Sequence, residues 1–228
     1  MSEGKIKILP NGPYKVTGNV PLDEQKIEPA PAHSFRWAQG RELPQGEEYA
    51  LCRCGHSQNA PFCDGTHEKI GFTGEETADR TPYAERVEMF EGPRMDVGDD
   101  HRCAFARFCH ADNSEVWTLT MTADDDEREA LARDTADACP AGRITVHEHS
   151  GEFVEPELDE QITVVQDPQN YSSSGLYVKG GIELTGADGE PYETRQRYML
   201  CRCGRSRNKP FCDASHIPAH YDDGHAMD

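Results

Sequence analysis

Cys52-Arg53-Cys54-Gly55-His56-Ser57-Gln58-Asn59-Ala60-Pro61-Phe62-Cys63-Asp64-Gly65-Thr66-His67 is answered near the other end of the chain by Cys201-Arg202-Cys203-Gly204-Arg205-Ser206-Arg207-Asn208-Lys209-Pro210-Phe211-Cys212-Asp213-Ala214-Ser215-His216. Both stretches follow C-x-C-x8-C-x3-H, so four potential metal donors agree position for position. Outward from them the likeness continues through Tyr49-Ala50-Leu51 and Tyr198-Met199-Leu200. It extends more loosely through Gly12-Pro13-Tyr14-Lys15-Val16-Thr17-Gly18 and Gly175-Leu176-Tyr177-Val178-Lys179-Gly180. The chain holds two copies of one unit, fewer than the three or so that a solenoid needs.

A low mean hydropathy of -0.79 suits small domains, which bury little apolar surface and need a covalent or metal staple to offset chain entropy. Nine cysteines supply candidates, and their odd number argues against a closed disulfide framework. Residues 1–10 carry no apolar signal segment, and no stretch approaches the roughly 20 apolar residues that cross a bilayer. The expectation is a cytoplasmic protein in a reducing compartment, where cysteines serve as metal ligands. A net charge of -19 disfavours nucleic acid and anionic membrane as partners, since both are polyanions.

Three thiolates and one imidazole per motif match the four terminal ligands that the two tetrahedral irons of a [2Fe-2S] core require. They also match a closed structural zinc site. Zinc fingers, however, usually space their paired cysteines as C-x2-C or wider, whereas one residue separates Cys52 from Cys54 and Cys201 from Cys203. Asp64 and Asp213 are expected to N-cap short helical turns starting at Gly65 and Ala214, aiming free N–H groups at an anionic cluster. For Ser57 and Ser206 a hydrogen bond to cluster sulfur competes with an ordinary turn bond.

These residues resemble the CDGSH iron-sulfur (NEET) family, whose pattern is C-x-C-x2-[ST]-x3-P-x-C-D-G-[SAT]-H. The resemblance implies one [2Fe-2S] cluster on Cys52, Cys54, Cys63 and His67 and another on Cys201, Cys203, Cys212 and His216. It also implies electron transfer or cluster delivery. The one departure is Ala214 in place of glycine, where a positive φ would favour glycine. Family members often pair two CDGSH units about a two-fold axis, and two copies in one chain can do so as a monomer.

The remaining cysteines, Cys103, Cys109 and Cys139, form a central group, the last directly before Pro140. Residues 87–150 are similar to mono-cluster ferredoxins, with Ala106 standing where the middle cysteine would be. Three thiolates suit a third cluster, either [3Fe-4S] or [4Fe-4S], the latter taking water, His110 or Asp112 at its fourth iron. The alternative is three buried structural cysteines.

Strands are expected over residues 5–9 and 14–20, and over 162–165 and 176–184, with a helix over 125–138 capped by Asp124 and stopped by Pro140. The fold class is α+β: two small β-rich CDGSH units, residues 1–82 and 156–228, flanking a small ferredoxin-like α+β domain at 83–155. No catalytic base stands beside the central cysteines, so the expectation is a carrier and not an enzyme. Its partner would be a redox protein or an apo-protein accepting clusters.

Overall fold

The computed structural model describes residues 3–31, 34–151 and 153–227. The N-terminal unit contributes β1 (Lys5–Ile8), β2 (Tyr14–Thr17), β3 (Leu22–Ala30), β4 (Ser34–Gln39), β5 (Tyr49–Leu51) and the single turn α1 (Thr66–Lys69). The middle of the chain holds α2 (Tyr83–Arg86), β6 (Glu88–Phe90), β7 (Asp96–Asp99), β8 (His110–Ala111), β9 (Ser114–Glu115), α3 (Val116–Met121), α4 (Asp126–Asp137), β10 (Ile144–His147) and β11 (Phe153–Val154). The C-terminal unit adds β12 (Gln161–Asp167), β13 (Ser172–Lys179), β14 (Glu183–Thr185) and β15 (Arg197–Leu200).

The two outer units exchange strands. One sheet runs β14-β1-β2-β5 and the other β15-β13-β12-β3-β4. In the first, β14 of the C-terminal unit pairs parallel with β1. In the second, β3 of the N-terminal unit pairs parallel with β12, in the reciprocal arrangement. One apolar core lies between the sheets and draws on both units, with Ile6, Ile8, Tyr14 and Val16 from one and Ile162, Val164, Leu176 and Val178 from the other. Neither unit encloses that core alone, so the repeat is a pseudo-two-fold pair built inside a single chain.

Pairing also sets the register of the repeat. Tyr14 lies opposite Leu51 and Leu176 opposite Leu200, so Tyr14 corresponds to Leu176, not to Tyr177. A one-residue slip would have turned every side chain to the other face. Indeed Tyr177 points away from the shared core, toward Trp37 and the central domain.

Several expected boundaries move. The run at 14–20 ends at Thr17, and the run at 176–184 divides at Gly180 and Gly181, which take φ of 82° and 69°. The N-cap of α4 is Asp125, whose side chain accepts a 2.8 Å bond from the Arg128 N–H, and not Asp124. The helix gives way at Ala138, two residues before Pro140. The middle of the chain forms an antiparallel sheet, β11-β10-β7-β6, with α3 and α4 packed against it around Met95, Val97, Val116, Ala132 and Ile144. The whole is an α+β protein with few helices and several small sheets.

Candidate metal centres

Each motif follows a strand that ends at its first cysteine, β5 before Cys52 and β15 before Cys201. The loop is then closed by matching bonds: Cys52 N to Pro61 O at 2.8 Å and Cys63 N to Ala50 O at 2.9 Å, with Cys201 N to Pro210 O at 2.8 Å and Cys212 N to Met199 O at 2.9 Å. Ser57 and Ser206 hold the turn within it. Each hydroxyl donates to the carbonyl of Phe62 or Phe211 and accepts the N–H of Asn59 or Asn208, so their role is the ordinary turn bond.

Asp64 and Asp213 do not cap α1 or its counterpart in the expected way. The N-cap of α1 is Gly65, without a side-chain bond. Instead Asp64 accepts the N–H groups of Gln58 and Thr66, both at 2.9 Å, and Asp213 accepts those of Arg207 and Ser215 at 2.9 and 3.0 Å. Each carboxylate thus ties the loop before the third cysteine to the turn after it. Between aspartate and histidine the backbone needs a left-handed residue: Gly65 has φ 82° and Ala214 φ 66°. The departure from the family pattern at Ala214 therefore keeps the conformation and carries a steric cost.

The donors gather in pairs. Cys52 Sγ and Cys54 Sγ lie 3.6 Å apart, as do Cys201 Sγ and Cys203 Sγ. Cys63 Sγ lies 3.3 Å from His67 Nδ1, and Cys212 Sγ 3.4 Å from His216 Nδ1. With metal–thiolate bonds of about 2.3 Å and metal–imidazole bonds of about 2.0 Å, two ligands on one tetrahedral metal stand roughly 3.5–3.8 Å apart. The observed pairs fit two metals per motif, one on the C-x-C cysteines and one on the cysteine-histidine pair. Among the described residues no three or more His, Cys, Asp or Glu side chains are placed to hold one metal ion together. Hydrogen bonding within each C-x-C pair lowers Cys52 and Cys201, while the same contact raises Cys54 and Cys203. A metal between the two sulfurs would favour the thiolate form of both.

Between the two cysteines of each pair stands a buried arginine, which reading by ligand type passed over although Cys-Arg-Cys recurs in both copies. Arg53 donates to the carbonyls of Gly12, Gly74 and Leu9 at 2.8, 2.9 and 3.1 Å. Arg202 donates to Ser174 O at 2.7 Å and Val165 O at 3.0 Å and forms a fully buried ion pair with Asp223. The two loops also touch: a Cβ on Gly55 would come within 2.4 Å of Cys203 O, and one on Gly204 within 2.5 Å of Cys54 O. The reciprocal contact requires glycine at both positions and puts the two centres side by side.

Cys103, Cys109 and Cys139 line one cavity, together with Ala106, Pro140 and Arg143. Burial pushes the Cys109 thiol up to about 12, helped by its neighbours Cys139 and Cys103, and burial likewise raises Cys139. Arg143 and Arg197 stand near enough to favour the thiolates they face. His110 Nδ1 lies 3.4 Å from Cys109 Sγ with its ring half exposed, whereas Asp112 is exposed on the β8–β9 turn.

A family profile described as "Iron-binding zinc finger CDGSH type" matches residues 11–68 and 174–217. No curated protein and no solved structure matches the chain. The matched segments carry both sets of paired donors, and β3 and β14, one from each segment, pair with β12 and β1 of the opposite unit. Residues 11–68 and 174–217 are two CDGSH-type iron-binding units, and the protein that carries them is an iron-sulfur protein.

Proposed function

We propose that this protein is a non-enzymatic one-electron carrier with a [2Fe-2S] cluster in each CDGSH unit and a third cluster, [3Fe-4S] or [4Fe-4S], on Cys103, Cys109 and Cys139. The pairing of donors at the spacing of one tetrahedral metal per pair, repeated in both motifs, carries the reading. Cys52 and Cys54 would hold one iron and Cys63 and His67 the other, with Cys201, Cys203, Cys212 and His216 placed alike. A bound cluster supplies a reversible one-electron couple, and a neutral imidazole in place of a thiolate raises its potential above that of an all-cysteine centre. The protein's part is to bury the donors, set arginines beside the thiolates and bring the loops into contact at Gly55 and Gly204.

Support for the third cluster comes from the loop before Cys109. The sign of φ alternates through Ala104, Phe105, Ala106 and Arg107, with Phe105 at 59° and Arg107 at 68°. Bulky residues rarely adopt such values, and a backbone of alternating handedness is the kind that can aim successive N–H groups at one anion. The Phe105 N–H already meets Cys103 Sγ at 3.3 Å. The arrangement is less apt for three merely structural thiols, and it motivates the ferredoxin-like reading of this domain.

A redox partner protein is the expected client, in a cytoplasmic, reducing compartment that keeps the nine free cysteines available. Among the described residues no helix is long and apolar enough to cross a membrane. Strand exchange within the chain supports a monomer. The second reading, delivery of intact [2Fe-2S] clusters to apo-proteins, is favoured by the partial exposure of His67.

EPR of the protein as isolated tests the central claim about the third site. A [3Fe-4S] centre is paramagnetic when oxidised and oxidised [2Fe-2S] centres are silent, so a [3Fe-4S] cluster gives a signal with about seven iron atoms per chain and a [4Fe-4S] cluster a silent oxidised sample with about eight. A silent sample with about four iron atoms, unchanged by reconstitution with iron and sulfide, would remove the third cluster.

A further inference from the structure

The two CDGSH units have the same donors but not the same surroundings. In the N-terminal unit Cys63 and His67 are only partly buried, and Asp64, Glu68, Lys69 and Ile70 around them are exposed. In the C-terminal unit Cys212 is buried and His216 is 1% exposed. The Nε2 atom of His216 is enclosed with no hydrogen-bond partner.

The cover comes from the central domain. Ala104, Ala106 and Phe108, on the loop between Cys103 and Cys109, share one apolar cluster with Cys212, Met199 and Val165. Arg102 lies over the Phe211 ring at 4.6 Å. Arg107 locks the loop down through a bidentate pair with Asp167 at the end of β12, at 2.7 and 2.8 Å. Cys103 and Asp213 line a common cleft. In the N-terminal unit the strand equivalent to β12 is β1, which leads into Leu9 and Pro10 without a carboxylate to anchor a lid.

We infer that the two CDGSH sites have different tasks. The N-terminal site is the port through which the protein gives up a cluster, or iron, to an outside acceptor. The C-terminal site is a retained inner centre, sealed by the Cys103–Cys109 loop and held next to the central cysteines. The inference rests on the reading that both motifs bind [2Fe-2S] clusters and adds which of them is exchangeable. The seal also ties the inner site to the central domain: Arg107, which clamps the lid, belongs to the loop that presents Cys103 and Cys109. Loosening the central loop should therefore open the C-terminal site and leave the N-terminal one as it was.

The test uses the full chain with its clusters and the ferrous chelator bathophenanthroline disulfonate under mild reduction. The readout is the EPR signal of the reduced [2Fe-2S] centres, which a [3Fe-4S] centre does not share. Two phases of equal amplitude are expected, the slow one about tenfold or more behind the fast, because it waits for a clamped segment to open. The Cys54→Ala protein, retaining the C-terminal site, should show only the slow phase, and Cys203→Ala only the fast one. Arg107→Met in the otherwise unaltered chain should speed the slow phase about tenfold and spare the fast phase. A single phase, a fast phase surviving in Cys54→Ala, or a slow phase indifferent to Arg107→Met would each overturn the inference. A wild-type protein with no [2Fe-2S] signal at all would instead sink the cluster reading on which it rests.

Discussion

Arg202→Met gives a sharp test of how the C-terminal loop is held. Both partners of the Arg202–Asp223 pair are sealed from solvent, with side-chain exposures of 1% and 0%. Burial alone would raise the Asp223 carboxyl, but the charge and hydrogen bonds of Arg202 hold it well below the usual carboxylate range. Methionine fills similar volume and leaves that carboxylate with neutral donors, Ser173 Oγ at 2.8 Å and the Gln166 Nε2 and His225 backbone N–H groups, both at 3.2 Å. Breaking one side of a buried ion pair costs about 3–5 kcal/mol, equivalent to about 100- to 4,000-fold in an equilibrium or rate. Cluster loss makes unfolding irreversible, so the appropriate readout is the rate of unfolding in guanidinium, followed by circular dichroism. Arg202→Met should accelerate it by about two orders of magnitude or more. In an Asp223→Asn background, where no charge is stranded, the same substitution should cost about 2 kcal/mol less. A change below about tenfold, or an equal effect in both backgrounds, would refute the assignment of Arg202 as the charge partner that holds Asp223 and the loop.

Ala214→Gly should stabilise the C-terminal loop by about 1 kcal/mol, because glycine adopts the observed positive φ without the Cβ clash, and Gly65→Ala should cost a similar amount. Both are read as altered unfolding rates. Withdrawal from water pushes the His216 ring down to about 4. Since this lies below the free value of about 6.5, the contribution of the neutral ring is whole above that pH and is lost as pH falls toward 4. Because His67 is reachable by solvent and His216 is sealed, the N-terminal cluster should bleach before the C-terminal one as the pH falls. His67→Cys should remove the early phase while lowering the potential of its site; simultaneous bleaching of both sites in wild type would contradict this. Cys139→Ser should abolish the oxidised EPR signal of the central site and leave the reduced [2Fe-2S] signals in place, and retention of the oxidised signal would contradict the central ligand set.

What the sequence made legible was whatever depends on short spacing. The two sets of candidate donors and the left-handed residue at 65 and 214 are local, and the structure brings those donors together in pairs on matched loops. Strand β3 was hidden because its buried face includes Glu24, fully enclosed and paired with Arg41 at 2.6 Å. A carboxylate there breaks the alternation by which a half-buried strand is recognised. Its partner β12 also lies in the other unit, so no hairpin signal brackets it. Arg53 and Arg202 were present in both copies, but an arginine in a ligand motif reads as surface charge until its carbonyl partners, far off in sequence, are known. The cover over His216 had no local signal at all: it depends on residues 104–108 and Asp167 meeting across the fold.

The most direct test of the whole account is a metal and sulfide analysis of the purified protein, combined with EPR before and after dithionite reduction. The account expects about four iron atoms and as many acid-labile sulfides from the two outer sites, about three or four further iron atoms from the central cluster, and no stoichiometric zinc. Reduction should produce the signals of two [2Fe-2S] centres, and these should disappear when Cys54 and Cys203 are replaced together. About two zinc ions per chain, no labile sulfide and no reduced signal would contradict it, showing that each motif closes round a single metal ion.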